Sequence, residues 1–392
     1  MTAPARFTSR RVRAMPGSVF AAMDAAKSDA RRSGLDVIDL SIGASDLQPP
    51  AVALDTLRAA VHDPATHAYC LHSGTAPLRE AVADWFERRF ALRVDPETQV
   101  LPLIGAQEGF AHLLLACADP GDAVLLPDPA YPSYFGAVAA AGLETVALPL
   151  RAERGFLPDL GLVDVADAAR ARALVLSYPN NPTAGVATPA FFDEALRFAE
   201  RHDLLLIHDF PYVDLVDDVA DAPSVLTRPG ALERAVEIYS ASKSFHMGGF
   251  RLGWAIGQAD ALAALARLKG AVDFNQYLGI QRAVAAALRE PDEARRADAA
   301  TFTERREVLV ESMAAISWHA PMPRASMYVW AALPAGRRDS VAFAEGLART
   351  TGVALAPGVA FGPSGEGYVR FALVRGPEAL RQAVARIRAY LD

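Results

Sequence analysis

Seven short runs of apolar residues, rich in β-branched side chains, punctuate the first two thirds of the chain and constrain its fold more than any other feature. They are QVLPLIG (99–105), AVLLPD (123–128), ETVALPL (144–150), ALVLSYP (173–179), LLLIHDF (204–210), AVEIYSAS (235–242) and RLGWAIG (251–257). Most are hydrophobic almost without interruption, as a strand buried on both faces requires. Helical patterns separate many of them, at Gly109–Cys117, Tyr134–Ala141 and Pro189–His202. Such alternation predicts an α/β fold with a mostly parallel sheet and helices on both faces. Between Ala241 and Arg251 the chain is too short for a helical crossover. The flanking strands are therefore expected to pair as a hairpin, which makes the sheet mixed.

Beyond Gln258 the pattern turns helical (Ala259–Leu268, Gly279–Leu288, Glu293–Ile316). A second strand group follows at MYVWAAL (327–333), GVALAPG (352–358) and YVRFALV (368–374). With 392 residues to distribute, this reads as a large α/β domain over 46–290 and a smaller α+β domain from 1–45 and 291–392. The first fifteen residues are basic and free of acids, but no apolar core of a signal peptide follows. Ser18 to Arg32 reads instead as an amphipathic helix with Val19, Met23 and Ala26 on its apolar face. No run of eighteen apolar residues occurs, so no membrane span is expected. A net charge of −7 argues against nucleic acid as a partner. Cys70 and Cys117 are too few for a disulfide framework, which suits a cytoplasmic location.

Ligands of open α/β sheets bind beyond the carboxyl ends of the strands. Chemically useful residues collect at those ends: Ala106-Gln107-Glu108, Asp128 and Tyr131, Asn180-Asn181 and Thr183, Asp209 and Tyr212, and Lys243. Lys243 draws attention because the chain holds 39 lysines and arginines, of which only Lys27, Lys243 and Lys269 are lysines. A free lysine, with a pKa of roughly 10.4, is neutral in fewer than about one molecule in a thousand at pH 7. A reactive amine therefore needs burial or neighbouring positive charge, and Arg251 is a candidate neighbour.

An amine of this kind implies a carbonyl partner, most commonly pyridoxal phosphate. That cofactor needs an acid at its pyridine nitrogen and donors at its phosphate. Asp209, at the end of a strand too apolar to hold an unpaired charge, fits the first need; a turn or cap aspartate would also stand here. Tyr212 fits a bond to the phenolic oxygen, or plain packing. Ser240, Ser242 and Arg251 offer two hydroxyls and a planar fork for a phosphate. The helix opening after Gly105-Ala106-Gln107 offers backbone N–H groups. Tyr131, between Pro129 and Pro132, can stack on a ring or simply sit half-buried. Arg370, in the alternating strand YVRFALV, calls for an anion: a substrate carboxylate or an internal salt bridge.

Ser240-Ala-Ser-Lys243 also matches S-x-x-K, in which a serine attacks an acyl group. The companion strings S-D-N and K-T-G are missing. Dinucleotide and Walker fingerprints are absent in full form, and His208 and His246 have no metal-like companions at helical spacing. No metal is expected.

The assembled residues strongly resemble class I aminotransferases, of the fold-type I pyridoxal-phosphate enzymes. The motifs are YCLHSGTAPLR (69–79), GAQEG (105–109), DPAYPSY (128–134), PNNPTAG (179–185), HDFPY (208–212) and SASKSFHMGGFRLG (240–253). The resemblance implies that Lys243 condenses with the cofactor's aldehyde and carries the proton during transfer. It implies that Asp209 pairs with the pyridine nitrogen, that Asn181 and Tyr212 bond the phenolic oxygen, and that Tyr131 stacks on the ring. Ala106, Gln107, Ser240, Ser242 and Arg251 would hold the phosphate, joined by Tyr69 across a homodimer interface. Arg370, Asn181 and the Gly43 backbone would take the substrate carboxylate. Within the class the chain is most similar to the branch of LL-diaminopimelate and some alanine aminotransferases. The implied reaction passes the amine of an L-amino acid (diaminopimelate, alanine or aspartate type) to a 2-oxo acid such as 2-oxoglutarate; a carbon–sulfur lyase on the same fold is the alternative. Two departures stand out: Ala184 where a glycine is usual, expected to alter the turn after Thr183, and Gln107 where a small hydroxyl residue is usual.

Overall fold

The computed structural model describes residues 7–17 and 19–392. Twelve strands occur among the described residues: β1 (Ile38–Asp39), β2 (Val100–Leu103), β3 (Ala123–Asp128), β4 (Glu144–Pro149), β5 (Ala171–Ser177), β6 (Leu205–Asp209), β7 (Ala235–Ser240), β8 (Gly253–Gly257), β9 (Tyr328–Ala332), β10 (Val353–Ala354), β11 (Ala356–Pro357) and β12 (Tyr368–Ala372). The seven runs of the first two thirds form one sheet in the order β2-β8-β7-β6-β5-β3-β4. β8 is antiparallel to both of its neighbours, and the other pairings are parallel. The expected hairpin is thus present, with Ser240 opposite Gly253.

Alternate residues of each inner strand enter different cores. Leu125, Leu174 and Leu176 join one face with Trp85 and Phe192. Val124, Leu126 and Val175 join the other with Phe110 and Leu113. Both faces being apolar explains the unbroken hydrophobic runs. Trp85, on the helix Ala76–Phe90, meets Tyr239 and Trp254 edge-on at 5.3 and 5.7 Å. It thereby braces β7, which carries Ser240 and leads into Lys243, and β8, which pairs with it. A fully buried apolar side chain contributes roughly 1.5–3 kcal/mol to such packing.

A separate core gathers Val329, Leu355, Phe371, Leu309 and Leu347 around the three-stranded sheet β11-β12-β9. The run 352–358, expected as one strand, is two. β10 pairs with β1 in parallel, and β11 pairs with β12 antiparallel. The predicted N-terminal helix spans Val19–Arg32, with Met23 and Ala26 buried against Ala344 and Ala348; its expected first residue, Ser18, lies outside the described residues. No helix among them is long and apolar enough to cross a membrane.

Candidate active site

A cavity of about 650 Å³ opens at the carboxyl ends of β5, β6 and β7. Every residue given a role by the family resemblance lines it except Tyr69: Gly43, Ala106, Gln107, Tyr131, Asn181, Asp209, Tyr212, Ser240, Ser242, Lys243, Arg251 and Arg370. Strand ends place most of them, because each parallel strand delivers its last residue to the same edge.

β7 ends at Ser240, which caps a one-turn helix, Ala241–Ser244, by accepting from the Ser242 amide at 3.2 Å. Lys243 emerges from that turn half-buried, and its Nζ donates to the Gly43 carbonyl. Its partner is neutral. Arg251 adopts a left-handed backbone, φ 55°, which turns the chain from the loop into β8. Its guanidinium lies against Gly105, where a Cβ would fall 2.5 Å from Nη2. Gly105 also has φ 86°, so only glycine allows this approach at no steric cost. The helix Ala106–Cys117 begins there with no side-chain cap, leaving first-turn N–H groups beside Ser240, Ser242 and Arg251. Together these offer the donors and the positive charge that a phosphate would need.

Asp209 is buried at the end of β6. One oxygen accepts the Tyr134 hydroxyl, while Oδ1 is buried with no partner. Burial pushes the carboxyl up to about 6, although the Tyr134 hydrogen bond and His208 pull the other way. A buried carboxylate oxygen facing a cavity without a donor calls for a cationic N–H from a ligand.

Arg370 in β12 is also buried. Its Nη1 donates to Asn181 Oδ1 at 2.7 Å and its Nη2 to the Ser41 carbonyl at 2.8 Å. Its charged group lies over Tyr328 at 4.2 Å and over Phe361 at 4.6 Å. Both acceptors are neutral, and Nε is buried with no partner. The positive charge is thus left for an anion inside the cavity, rather than spent on a carboxylate of the chain.

Tyr131 donates to Gln107 Oε1 at 3.0 Å. The Gln107 side chain therefore orients the ring that closes the cavity wall. Ala184 takes φ 57°, a left-handed conformation that a glycine would adopt freely and that costs alanine about 1–2 kcal/mol. Tyr69 lies away from the cavity, 89% exposed, beside Phe274 at 6.2 Å.

Three side chains that the sequence reading passed over belong to the site. Tyr134 sits one helical turn beyond Tyr131, a spacing that places both on one face. Tyr328 in β9 puts its hydroxyl 3.0 Å from that of Tyr212. His246, which has no sequence companion, is held by Ser45 Oγ at 2.8 Å and Asp298 at 3.0 Å. Elsewhere, Glu108, His112 and Asp273 approach within 4.8 Å of one another. The Lys269 ammonium already bonds both of those carboxylates, at 3.0 and 3.1 Å.

Comparison with known proteins gives a consistent picture. The profile of the family Aminotransferase class I and II matches residues 35–387. An LL-diaminopimelate aminotransferase of Moorella thermoacetica is 42% identical over 383 residues, 98% of each chain. Among solved structures, a probable N-succinyldiaminopimelate aminotransferase from Thermus thermophilus is 49% identical. It superposes with a TM-score of 0.91 over 95% of this chain and 100% of its own. Substrate-bound BacF from Bacillus subtilis, 31% identical, reaches a TM-score of 0.95 over 98% of both. The chain belongs to the class I and II aminotransferases, a membership that implies pyridoxal phosphate as cofactor and an amino acid and a 2-oxo acid as substrates.

Proposed function

We propose that the protein transfers the α-amino group of a diaminopimelate-type L-amino acid to a 2-oxo acid such as 2-oxoglutarate, in two half-reactions on one pyridoxal phosphate. One observation carries this reading. A lysine with only a neutral partner and an aspartate with an orphaned oxygen line one cavity with an arginine whose charge is unspent. The names of the two most similar relatives described above supply the donor type.

The residues fit the cofactor. The orphaned Asp209 Oδ1 would accept its pyridinium N–H, the Gly105–Ala106 turn with Ser240, Ser242 and Arg251 would hold its phosphate, and Asn181 and Tyr212 would bond its phenolic oxygen. When bound, that group supplies an electron sink for the carbon that loses its proton. The remaining work falls to the chain. Arg370 fixes the substrate carboxylate, assisted by Asn181 and the Gly43 segment, and so sets which bond at Cα faces Lys243. Lys243 would take the Cα proton and deliver it across the amino nitrogen, two atoms along. Tyr131 covers the site and limits water.

Arg370→Ala should raise KM for the amino donor by about 100-fold, the loss of a charge-assisted pair, while cofactor absorbance persists. Arg370→Lys should recover only part, since it restores the charge without the fork. Loss of cofactor with an unchanged KM would reassign Arg370. With 2-oxoglutarate as acceptor, LL-diaminopimelate should give the highest kcat/KM in a panel with N-succinyl-LL-diaminopimelate, alanine, aspartate and glutamate. A better rate with alanine or aspartate would overturn the donor type. Ammonia released with no 2-oxo acid present would mark a carbon–sulfur lyase or other eliminating enzyme instead.

A homodimer is part of the proposal. Tyr69, Leu71, Val272 and Phe274 are exposed apolar side chains of the kind an interface covers, and Tyr69 would complete the partner's phosphate site. So is a division into a large domain, 46–290, and a small one from the two ends, supported by their separate cores. Two free cysteines suit a cytoplasmic location.

A further inference from the structure

Tyr328 stands at the centre of the site without a role in the chemistry above. Its hydroxyl lies 3.0 Å from that of Tyr212, and the two rings meet edge-on at 5.6 Å. Both side chains are buried. On one side the Arg370 guanidinium covers the Tyr328 ring at 4.2 Å. On the other the hydroxyl abuts Gly43, where a Cβ would fall 2.0 Å away. The Gly43 carbonyl accepts Lys243, whose Nζ is 5.9 Å from the Tyr212 ring.

Two hydroxyls at this distance must divide the roles, one donating and one accepting. The charges around them decide which. Burial raises both, but Lys243, then Arg370 and the bond to Tyr212, bring Tyr328 below the ordinary phenol range. Tyr212 is raised well above that range by burial, the Tyr328 oxygen and Tyr131, with Arg370 opposing. The geometry points the same way: the Arg370 guanidinium lies directly over the Tyr328 ring at 4.2 Å, and a cation against its ring makes Tyr328 the better donor. Tyr328 therefore gives its proton to the Tyr212 oxygen, and the Tyr212 proton is left for an acceptor in the cavity that both residues line.

We propose that Tyr328 is a positioning residue: by donating to Tyr212 it fixes Tyr212 as the hydrogen-bond donor to the cofactor's phenolic oxygen and strengthens that donation. The inference rests on the cofactor placement proposed above. Hydrogen bonds in a chain polarise one another, by perhaps 10–30% per bond. A donor at the phenolic oxygen favours its anionic form, so the neighbouring Lys243 nitrogen gives up its proton at a lower pH. Weakening the donor raises that pH.

The test is the pH midpoint of the visible absorption change of the cofactor-loaded protein. Tyr212→Phe should raise the midpoint by about 1–2 units, the loss of a hydrogen bond to a charged acceptor. Tyr328→Phe should raise it by about 0.3 unit, and the double variant should match Tyr212→Phe alone. Phenylalanine at 328 keeps a ring beneath Arg370, so a midpoint shift without a change in donor KM isolates the hydroxyl from the packing. An unmoved midpoint in Tyr328→Phe, or a double variant whose shifts simply add, would overturn the proposal. A wild-type protein that shows no cofactor absorption at all would overturn the cofactor placement itself, a distinguishable failure.

Discussion

Lys243→Ala is expected to lower transamination by on the order of 10⁴-fold, the upper range for removing a positioned acid–base group, while the phosphate receptor still retains cofactor. Borohydride reduction of the wild-type holoenzyme should fix cofactor onto the peptide containing Lys243, and the variant should release it on denaturation. The three lysines of the chain differ in one physical respect that makes this prediction specific. Lys27 is held by Asp24 at 2.7 Å and Asp39 at 3.0 Å. Burial alone would lower its pKa, but the two hydrogen-bonded carboxylates win and raise it. Lys269 is likewise clasped by Glu108 and Asp273. Each of these is held between a pair of acids, and only Lys243 faces a neutral carbonyl. Label on Lys27 or Lys269 would sink the assignment.

Asp209→Asn is expected to act in opposite directions on activity and stability. Activity should fall by about 10³-fold, the scale seen when one preorganised electrostatic partner is removed. The cofactor-free protein, by contrast, should become more stable at neutral pH. The folded carboxyl has its pKa raised to about 6 from 3.8, chiefly by burial. The native state thus holds the proton more tightly than the unfolded chain does. Stability falls as pH rises from about 4 through 6, and above that the buried charge costs about 3 kcal/mol in full. Asparagine keeps an acceptor for the Tyr134 hydroxyl and carries no charge. Thermal midpoints of the two cofactor-free proteins should coincide near pH 4 and separate above pH 6, with the variant higher. A variant less stable than wild type at pH 7.5 would show that the burial penalty is not what governs Asp209.

The large sheet was legible because its strands are buried on both faces, so composition alone outlines them; QVLPLIG and AVLLPD carry no alternation to misread. The shorter strands were not. Ile38–Asp39 is two residues long, and the run 352–358 divides at Leu355 because its halves pair with different strands. A hydrophobicity pattern records burial and is silent about which neighbour provides it. The site residues on strand ends were legible for a related reason, since β6 and β7 dictate where Asp209 and Lys243 stand. Tyr134 and Tyr328 escaped because a buried phenol announces itself only through its partner. Those partners, Asp209 and Tyr212, lie 75 and 116 residues away along the chain. Tyr69 illustrates a stricter limit: the role proposed for it lies in a second copy, and within its own chain it meets only the Phe274 ring at the surface.

The contacts of Arg370 have a consequence for how the molecule comes into being. Its two acceptors lie 329 and 189 residues upstream, and closing such spans requires that nearly all of the intervening chain already be in place. The pocket proposed for the substrate carboxylate is thus complete only once these distant segments have met. An amino acid that binds there would favour the folded protein, and at about 100 times its Kd would stabilise it by roughly 2.7 kcal/mol through mass action. The substrate would then also hold its enzyme in the folded state, shielding it from proteolysis when substrate is plentiful and leaving it more exposed when substrate runs short.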